Sequence, residues 1–296
     1  GVVAVGPRQP AAVHAQVHRL NALLENAGKT VTYTEEPAAA YAATCGELAD
    51  LVKLMQGGKV KTLLLLGGNP VYDAPADLQF QAALAKVGTA IHLSTHRNET
   101  SLHCQWLLPQ THPFESWGDC RSYDGTICVT QPLVEPLLTG KSALEVLALI
   151  LGEKDDAQTL VRRSVDQAAG QKLNDPQWRK LLHDGFLADS GLTAVQPELK
   201  ELRTAEPKPA AEGELELVFC RGETVYDGRF ANNGWLQETP HLISKLTWDN
   251  AAIVSPATAK KLGLEIGSVV QLEWNGRTLE IPVFVLPGQA NDSVGV

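Results

Sequence analysis

A run of four leucines at residues 63–66, followed by two glycines, constrains the fold of this chain more than any other feature. An apolar run this short, ended by turn-forming residues, is typical of a strand buried on both faces inside a parallel sheet. Gly67 and Gly68 carry no side chains, so their backbone amides can approach a ligand closely. A site is therefore expected at the carboxyl edge of that sheet. The alternative interpretation of the same residues is a strand followed by a tight turn that binds nothing.

Helix and strand patterns alternate over residues 11–94. Apolar spacing predicts helices over residues 11–26, 44–56 and 77–86, and Thr44 and Glu47 form a capping-box pattern at the start of the second. The leucine strand lies between the second and third helices, and a further strand is predicted over residues 89–93. This alternation predicts a parallel sheet with right-handed crossovers. The loops after its strands should then meet at one edge.

Residues 94–132 form a long polar segment with little periodicity outside residues 105–108. Such a segment within a compact domain usually carries a function or an interface. Helices are predicted beyond it, over residues 144–151 and 160–192, and Asn174, Asp175 and Pro176 start a new one. These elements complete an α/β domain predicted to span residues 1–202.

The pattern changes to β after residues 203–214, a predicted linker rich in alanine, proline and charge. Strands are predicted over residues 215–220, 252–255, 268–274 and 277–286, with a short helix over residues 256–262. Asn275 and Gly276 form a two-residue hairpin turn between the last two strands. The predicted fold class is α/β, with a parallel-sheet domain and flanking helices followed by a small β-barrel domain over residues 215–296.

Composition and missing motifs exclude several functions. The formal net charge of -9 argues against nucleic acid as a partner, because binding phosphate groups needs a basic face. Neither G-x-G-x-x-G nor G-x-S-x-G occurs, so neither an NAD enzyme nor a serine hydrolase is indicated. None of the cysteines forms a C-x-x-C pair, and the chain itself is therefore expected to hold no iron–sulfur cluster. The cysteines are Cys45, Cys104, Cys120, Cys128 and Cys220.

Two sets of polar side chains invite a chemical interpretation. Glu99 and Glu115 could form a catalytic pair, but carboxylates in a polar loop are usually solvated or paired with a nearby arginine. The second set consists of histidines and cysteines, whose imidazole and thiolate groups could bind zinc. These residues are spread over a strand and a loop, however, so their side chains need not point to one place. The members of this set are His92, His96, His103, Cys104, Cys120 and Cys128. Neither a catalytic pair nor a metal site is predicted.

The ends of the sequence and its hydropathy bear on where the protein works. No apolar run is long enough to cross a bilayer, and the first residues lack the charged and apolar regions of a signal peptide. Both ends fall within strand-like stretches. We therefore expect the chain to be a piece of a longer protein.

Several long motifs resemble the molybdopterin oxidoreductases. The leucine strand with GGNP, then THRNETS, WLLP and HPFESWGD, resembles the third domain of that family. The stretch from NNGW through KLTWDNAAIVSPATAKKLGLEIGSVVQLEWNGR to VLPGQ is similar to its fourth domain, a double-psi β-barrel. GGNPVYDAPADLQF and YDGRFANNGWLQETP resemble one branch in particular, the molybdopterin-oxidoreductase-like iron–sulfur subunit of bacterial alternative complex III.

This resemblance, which covers nearly the whole chain, implies a part in electron transport. The complex oxidises membrane quinol and passes electrons through iron–sulfur clusters to an acceptor. The implied partners are its other subunits, and the implied location is peripheral to the bacterial inner membrane on its periplasmic face, with no span in this chain. The clusters would lie in the rest of the full-length protein.

The resemblance also identifies candidate site residues. In the family, the loops after two neighbouring strands hold the guanine dinucleotide arm of the pterin cofactor, molybdopterin guanine dinucleotide. The matching residues here are Gly67, Gly68, Asn69, Pro70, Thr95, His96, Asn98 and Glu99. The branch with the closest motifs lacks the molybdenum cofactor.

The chain departs from cofactor-binding relatives between residues 115 and 131. Those relatives show a Glu, a Gly, an Asn and then G-R-x-Q, whereas Gly118 is followed here by Asp119, Cys120 and Arg121. We expect a vestigial, structural pterin site with no cofactor and no catalytic residue. One alternative is a functional molybdopterin guanine dinucleotide site in a molybdenum oxidoreductase. Another is a pure scaffold that docks partner subunits. If no cofactor is present, this alternative is the same as the vestigial, structural site.

Overall fold

The computed structural model describes residues 1–7, 9–35, 47–198 and 213–296. The chain forms two compact units, Gly1–Ala205 and Glu206–Val296. Thr44, Cys45 and residues 203–212 of the predicted linker lie outside the described residues. Within those residues, no helix combines the length and apolar character needed to cross a membrane.

The first unit contains helices on both sides of a small parallel sheet. Its helices are α1 (Ala11–Leu23), α2 (Leu48–Gln56), α3 (Pro70–Asp73), α4 (Phe80–Leu84), α5 (Ala143–Ile150), α6 (Ala157–Ala168) and α7 (Asp175–Asp184). Its strands are β1 (Tyr33–Thr34), β2 (Thr62–Leu66), β3 (Thr89–Ser94), β4 (Trp106–Pro109), β5 (Gly118–Arg121), β6 (Ile127–Thr130) and β7 (Ala194–Val195).

The three strands β2, β3 and β4 pair in parallel in that order. Leu64 lies opposite Ile91, and His92 lies opposite Leu107. The predicted parallel sheet is therefore confirmed. Its third strand, β4, contains the short periodic stretch found within the polar segment. All three strands end at the same edge, which places the loops that follow them close together.

The prediction that the leucine strand is buried on both faces is wrong. Leu65 is 9% exposed and packs in a core with Met55 of α2, whereas Leu66, on the opposite face, is 39% exposed. Among the described residues β2 is an edge strand, and β3 holds the centre of the sheet. Four identical side chains cannot indicate which face is covered, so the sequence carried no signal for this difference.

Several helix boundaries differ from the sequence prediction. The second helix begins at Leu48, with Glu47 as its N-cap. The third is interrupted at Gln79, whose φ of 50° is left-handed, between a 3-10 turn (Ala76–Leu78) and α4. The stretch predicted over residues 160–192 holds α7 and most of α6, which begins at Ala157. The C-cap of α7 is Gly185, where φ is 80°. Asn174 caps α7, as predicted, by accepting a hydrogen bond from the Gln177 amide.

The polar segment also contains a β-hairpin that its sequence did not reveal. β5 and β6 pair in antiparallel fashion. Ile127 and Val129 of β6 are buried in a second core with Val161 and Trp178, which belong to α6 and α7. The hairpin therefore covers these two helices with one face only.

The second unit is built on a curled, half-barrel sheet. Its strands are β8 (Glu216–Val218), β9 (Ala252–Val254), β10 (Val269–Trp274), β11 (Arg277–Val285) and β12 (Ser293–Gly295), in the spatial order β10-β11-β9-β12-β8, and its helices are α8 (Gly234–Glu238) and α9 (Pro256–Leu262). Asn275 and Gly276 turn between β10 and β11 with φ angles of 50° and 73°, as the hairpin prediction requires. The mixed α/β class is thus confirmed, with a five-stranded half-barrel in the second unit.

Candidate functional site

The loops after β2 and β3 meet at the carboxyl edge of the parallel sheet. The Asn69 Nδ2 donates to Glu99 Oε2 at 2.7 Å, and the Asn98 Nδ2 donates to the carbonyl of Gly68 at 3.4 Å. Four of the candidate residues therefore lie side by side. Parallel strands end at the same edge, which is why two loops far apart in sequence come together here.

Asn69 links the loops most strongly through a residue that the sequence analysis did not select, Thr100. The Asn69 Oδ1 accepts hydrogen bonds from the Thr100 amide at 3.0 Å and from its hydroxyl at 2.8 Å. The same hydroxyl accepts from the Val71 amide at 3.0 Å. Thr100 is fully buried, so water cannot replace these bonds. We call the residues that tie the two loops together, Asn69, His92, Asn98, Thr100 and Ser101, the loop joint.

His92 is the buried centre of the loop joint. Its Nε2 lies 3.2 Å from the Gly68 carbonyl, which can only accept, so this nitrogen carries the proton. Its Nδ1 lies 3.0 Å from the Ser101 hydroxyl. Burial lowers the pKa of His92 and outweighs the opposing effect of the Gly68 and Gly67 carbonyls. The ring is therefore neutral, with both nitrogens occupied by protein partners.

The glycine pair does not offer two free amides to a ligand. Gly67 and Gly68 both have left-handed φ angles, 77° and 75°. The Gly67 amide donates to the Leu93 carbonyl at 2.8 Å and thus extends the sheet. Gly68 is exposed, and no acceptor for its amide lies among the described residues. Of these two glycines, Gly68 is therefore the one that can present its N–H group to an anion.

The remaining candidates lie at the margin of the joint. Thr95 and His96 are exposed, and the Thr95 hydroxyl and the His96 Nδ1 lie 2.9 Å apart. Pro70 is the first residue of α3. A third loop also reaches this edge, since a Cβ on Gly67 would lie 3.5 Å from the Gln110 side-chain oxygen. The position of Gln110 directly after β4 was the signal that could have identified it.

Two charged side chains, Arg97 and Glu99, are exposed in the loop after β3. The hydrogen bond from Asn69 is the main cause that lowers the pKa of Glu99, so this exposed carboxyl is ionised at neutral pH. Its charge opposes an approaching phosphate group, whereas the charge of Arg97 in the same loop attracts one. The geometry suits a joint between loops better than a dinucleotide cradle.

Two cavities lie near the sheet. One of about 330 Å³ is lined by the ends of β3 and β4 and by α5, with Leu93, Pro109, Val146 and Ile150 in its walls. It is apolar apart from Lys141 and Thr139, so it offers little to a phosphate. The other, of about 480 Å³, lies against α3 and α4, and Pro70 is the only candidate residue that lines it.

The residues proposed as alternative zinc ligands do not come together. Across the described residues, no three or more His, Cys, Asp or Glu side chains are placed to hold one metal ion. His92 has both ring nitrogens occupied, and Cys120 and Cys128 lie on the hairpin instead. Glu115 caps a 3-10 turn, where it accepts from the His112 and Leu137 amides, which lower its pKa. In the described part of the chain, Glu115 and Glu99 therefore belong to separate hydrogen-bond networks.

Comparison with known proteins supports the fold and leaves the function open. No family model and no curated protein matches the chain. Among solved structures, acetylene hydratase from Pelobacter acetylenicus is similar over 83% of this chain, with a TM-score of 0.55 and 17% sequence identity. The chain spans 38% of the length of that protein. At this identity the likeness shows a shared fold with that protein and nothing about its role.

Proposed function

We propose that this chain is part of an electron-transfer subunit of a quinol-oxidising membrane complex, in which the former pterin edge is a structural joint. In this proposal residues 1–202 are the molybdopterin-oxidoreductase-like domain, and residues 215–296 are its double-psi barrel partner. The protein is peripheral to the bacterial inner membrane, on the periplasmic face, and binds the other subunits of the complex. The iron–sulfur clusters belong to the rest of the full-length protein, and this part carries no catalytic residue.

The observation that carries the structural interpretation is that the candidate side chains bind one another. Asn69 bonds Glu99 and Thr100, and Asn98 bonds Gly68 and Ser101. A dinucleotide would have to break several of these bonds, and Glu99 would oppose its phosphates. Each broken bond to a buried group costs about 1 to 3 kcal/mol, so the loss of several would offset much of the roughly 8 kcal/mol that micromolar binding supplies.

A second candidate function is a working molybdopterin guanine dinucleotide site. It is favoured by the exposed amide of Gly68 and by the left-handed glycine pair, since such turns can bind anions. In that case Gly68, Asn69, Asn98 and Thr95 would hold the nucleotide arm. The pterin end of the cofactor would supply redox chemistry, and it would lie in a part of the protein other than these four residues.

The test is a metal and pterin analysis of the full-length protein purified from its native membranes. We expect iron but neither molybdenum nor an extractable pterin in amounts close to one per protein. Copurification with the other subunits of a membrane complex is expected as well. A full complement of molybdenum and pterin would refute the structural interpretation, and a protein recovered alone after gentle solubilisation would refute the complex.

A titration with guanosine diphosphate separates the two candidates at the level of this chain. Calorimetry at low salt should detect no binding in the micromolar range. Gly68→Val tests any binding that is found, and Gly170→Val is the matched control, because Gly170 also has a left-handed φ, 67°, but faces open space away from the loops. Binding lost in Gly68→Val and kept in the control would establish the cofactor site.

A further inference from the structure

We infer that Cys120 and Cys128 form a dithiol site that closes to a cross-strand disulfide in the presence of a low-molecular-weight disulfide. The two residues are direct partners in the antiparallel pair of β5 and β6. Partners in such a pair point to the same face of the hairpin. Both thiols are free in this structure, and Cys128 is close enough to Cys120 to contribute to the raised pKa of that thiol.

The thiols lie on the accessible face of the hairpin. The neighbours of Cys128 in β6, Ile127 and Val129, are buried in the core with α6 and α7. Because side chains alternate along a strand, Cys120 and Cys128 face away from that core. Cys120 is exposed and Cys128 is half-buried. A small reagent can therefore reach Cys120 first.

The backbone pattern places the two residues at disulfide distance. Val129 donates to the Gly185 carbonyl at 3.0 Å and Leu187 donates to Ile127 at 2.8 Å, so residues 127 and 129 direct their backbone groups away from β5. Cys128 then directs its backbone groups toward Cys120, which makes the two a hydrogen-bonded pair, with Cα atoms about 5.5 Å apart. This separation lies within the range of roughly 4.4 to 6.8 Å that disulfides adopt.

The same register predicts that the bond is easily reduced. Cβ atoms in directly opposed pairs are about 4.5 to 5.5 Å apart, and they are closer in the other kind of pair. Disulfides prefer about 3.5 to 4.5 Å, so closing the bond here draws the strands together. A disulfide under such strain has a less negative reduction potential than a structural one. The site should therefore open and close reversibly.

The reaction is two successive thiol–disulfide exchanges. The Cys120 thiolate attacks one sulfur of the external disulfide, forms a mixed disulfide and releases one thiolate. The Cys128 thiolate then attacks the Cys120 sulfur and releases the second. Two protein thiols are oxidised, the external disulfide is reduced to two thiols, and those thiols take up the two protons. Burial, the Cys128 thiol and Asp119 raise the pKa of Cys120, so closure should accelerate as pH rises from about 7 to 9.

Peptide mapping after treatment with oxidised glutathione tests the inference. Trypsin cleaves after Arg97, Arg121 and Lys141, which separates Cys120 from Cys128 into different peptides. The experiment uses a Cys104→Ser background, because Cys104 lies in the same tryptic peptide as Cys120, residues 98–121. We expect a linked pair of peptides 98–121 and 122–141 that dithiothreitol separates, and the same pair in a further Cys220→Ser control. Adding Cys128→Ser should stop the reaction at a glutathione adduct on Cys120.

Two results would overturn the inference. One is a stable glutathione adduct on Cys120 in the chain that retains Cys128, with no linked peptides. The other is a link from either peptide to Cys45 or Cys220 in place of the expected pair. Circular dichroism of each variant before treatment establishes that the hairpin is compared in folded protein.

Discussion

Removing the side chain of Asn69 should loosen the whole carboxyl edge of the parallel sheet. In the Asn69→Ala variant, the buried Thr100 amide loses its acceptor at 3.0 Å, and the Thr100 hydroxyl loses the acceptor at 2.8 Å. An unsatisfied buried amide costs about 1 to 3 kcal/mol, and the lost hydroxyl bond adds about 0.5 to 1.5 kcal/mol. The free energy that holds the loop after β3 in place should therefore fall by roughly 2 to 4 kcal/mol.

Hydrogen exchange followed by mass spectrometry measures this loss directly. Amides of β3 and of the loop that follows it should exchange between about 30-fold and several hundred-fold faster in Asn69→Ala, since 1.4 kcal/mol corresponds to a factor of ten. Glu99→Gln is the matched control, because glutamine keeps an oxygen that accepts from Asn69 and removes only the charge. Its exchange should match that of the unaltered chain within about a factor of two. Equal acceleration in both variants would show that charge, and not the Thr100 bonds, holds the loops, and unchanged exchange in Asn69→Ala would refute the joint.

Three further predictions concern the first unit. Leu65→Ala should lower the free energy of unfolding by about 2 to 5 kcal/mol in urea melts. Leu66→Ala, on the exposed face, should change it by less than about 1 kcal/mol. Equal losses would contradict the burial of β2 on one face only. The pKa of His92 is lowered in the folded state, so its contribution to the free energy of unfolding is fully present above about pH 6.5 and is lost as pH falls below that value. In His92→Gln the urea midpoint should therefore drop less steeply with acid than in the unaltered chain. Parallel curves for the two proteins would count against a neutral ring. Gly125→Ala should be clearly more destabilising than Gly152→Ala. Both glycines have left-handed φ angles, but a Cβ at Gly125 would overlap the Leu192 side chain, whereas a Cβ at Gly152 would meet open space. Similar melting temperatures for the two variants would argue against this packing.

The sequence predicts those parts of the fold that rest on local signals. Asn174 and Pro176 mark the start of α7, and the Asn275–Gly276 turn joins β10 to β11, because both depend only on residues a few positions apart. The carboxyl-edge loops were also located correctly, since parallel strands force them together. The loop joint itself was not predicted, because Thr100 reaches Asn69 from 31 residues away and an isolated threonine carries no such signal. The sequence suggested a role for His92 only as a metal ligand. In the structure its ring is buried, and both of its nitrogens contact protein groups.

The carbonyl of Gly68 accepts from both the His92 ring at 3.2 Å and the Asn98 amide at 3.4 Å, which uses both of its lone pairs. This carbonyl shares its peptide plane with the Asn69 amide, so any molecule that turned this plane to reach that amide would free His92 and Asn98 at once. Conversely, anything that ordered the loop of Asn98 would hold the plane in its present orientation. The two effects are equal in free energy, because coupling between sites is reciprocal. Binding of such a molecule and order in the loop after β3 thus form one equilibrium, and the exchange rate of the Ser101 amide, which donates to Asn98, would report a ligand that never touches it.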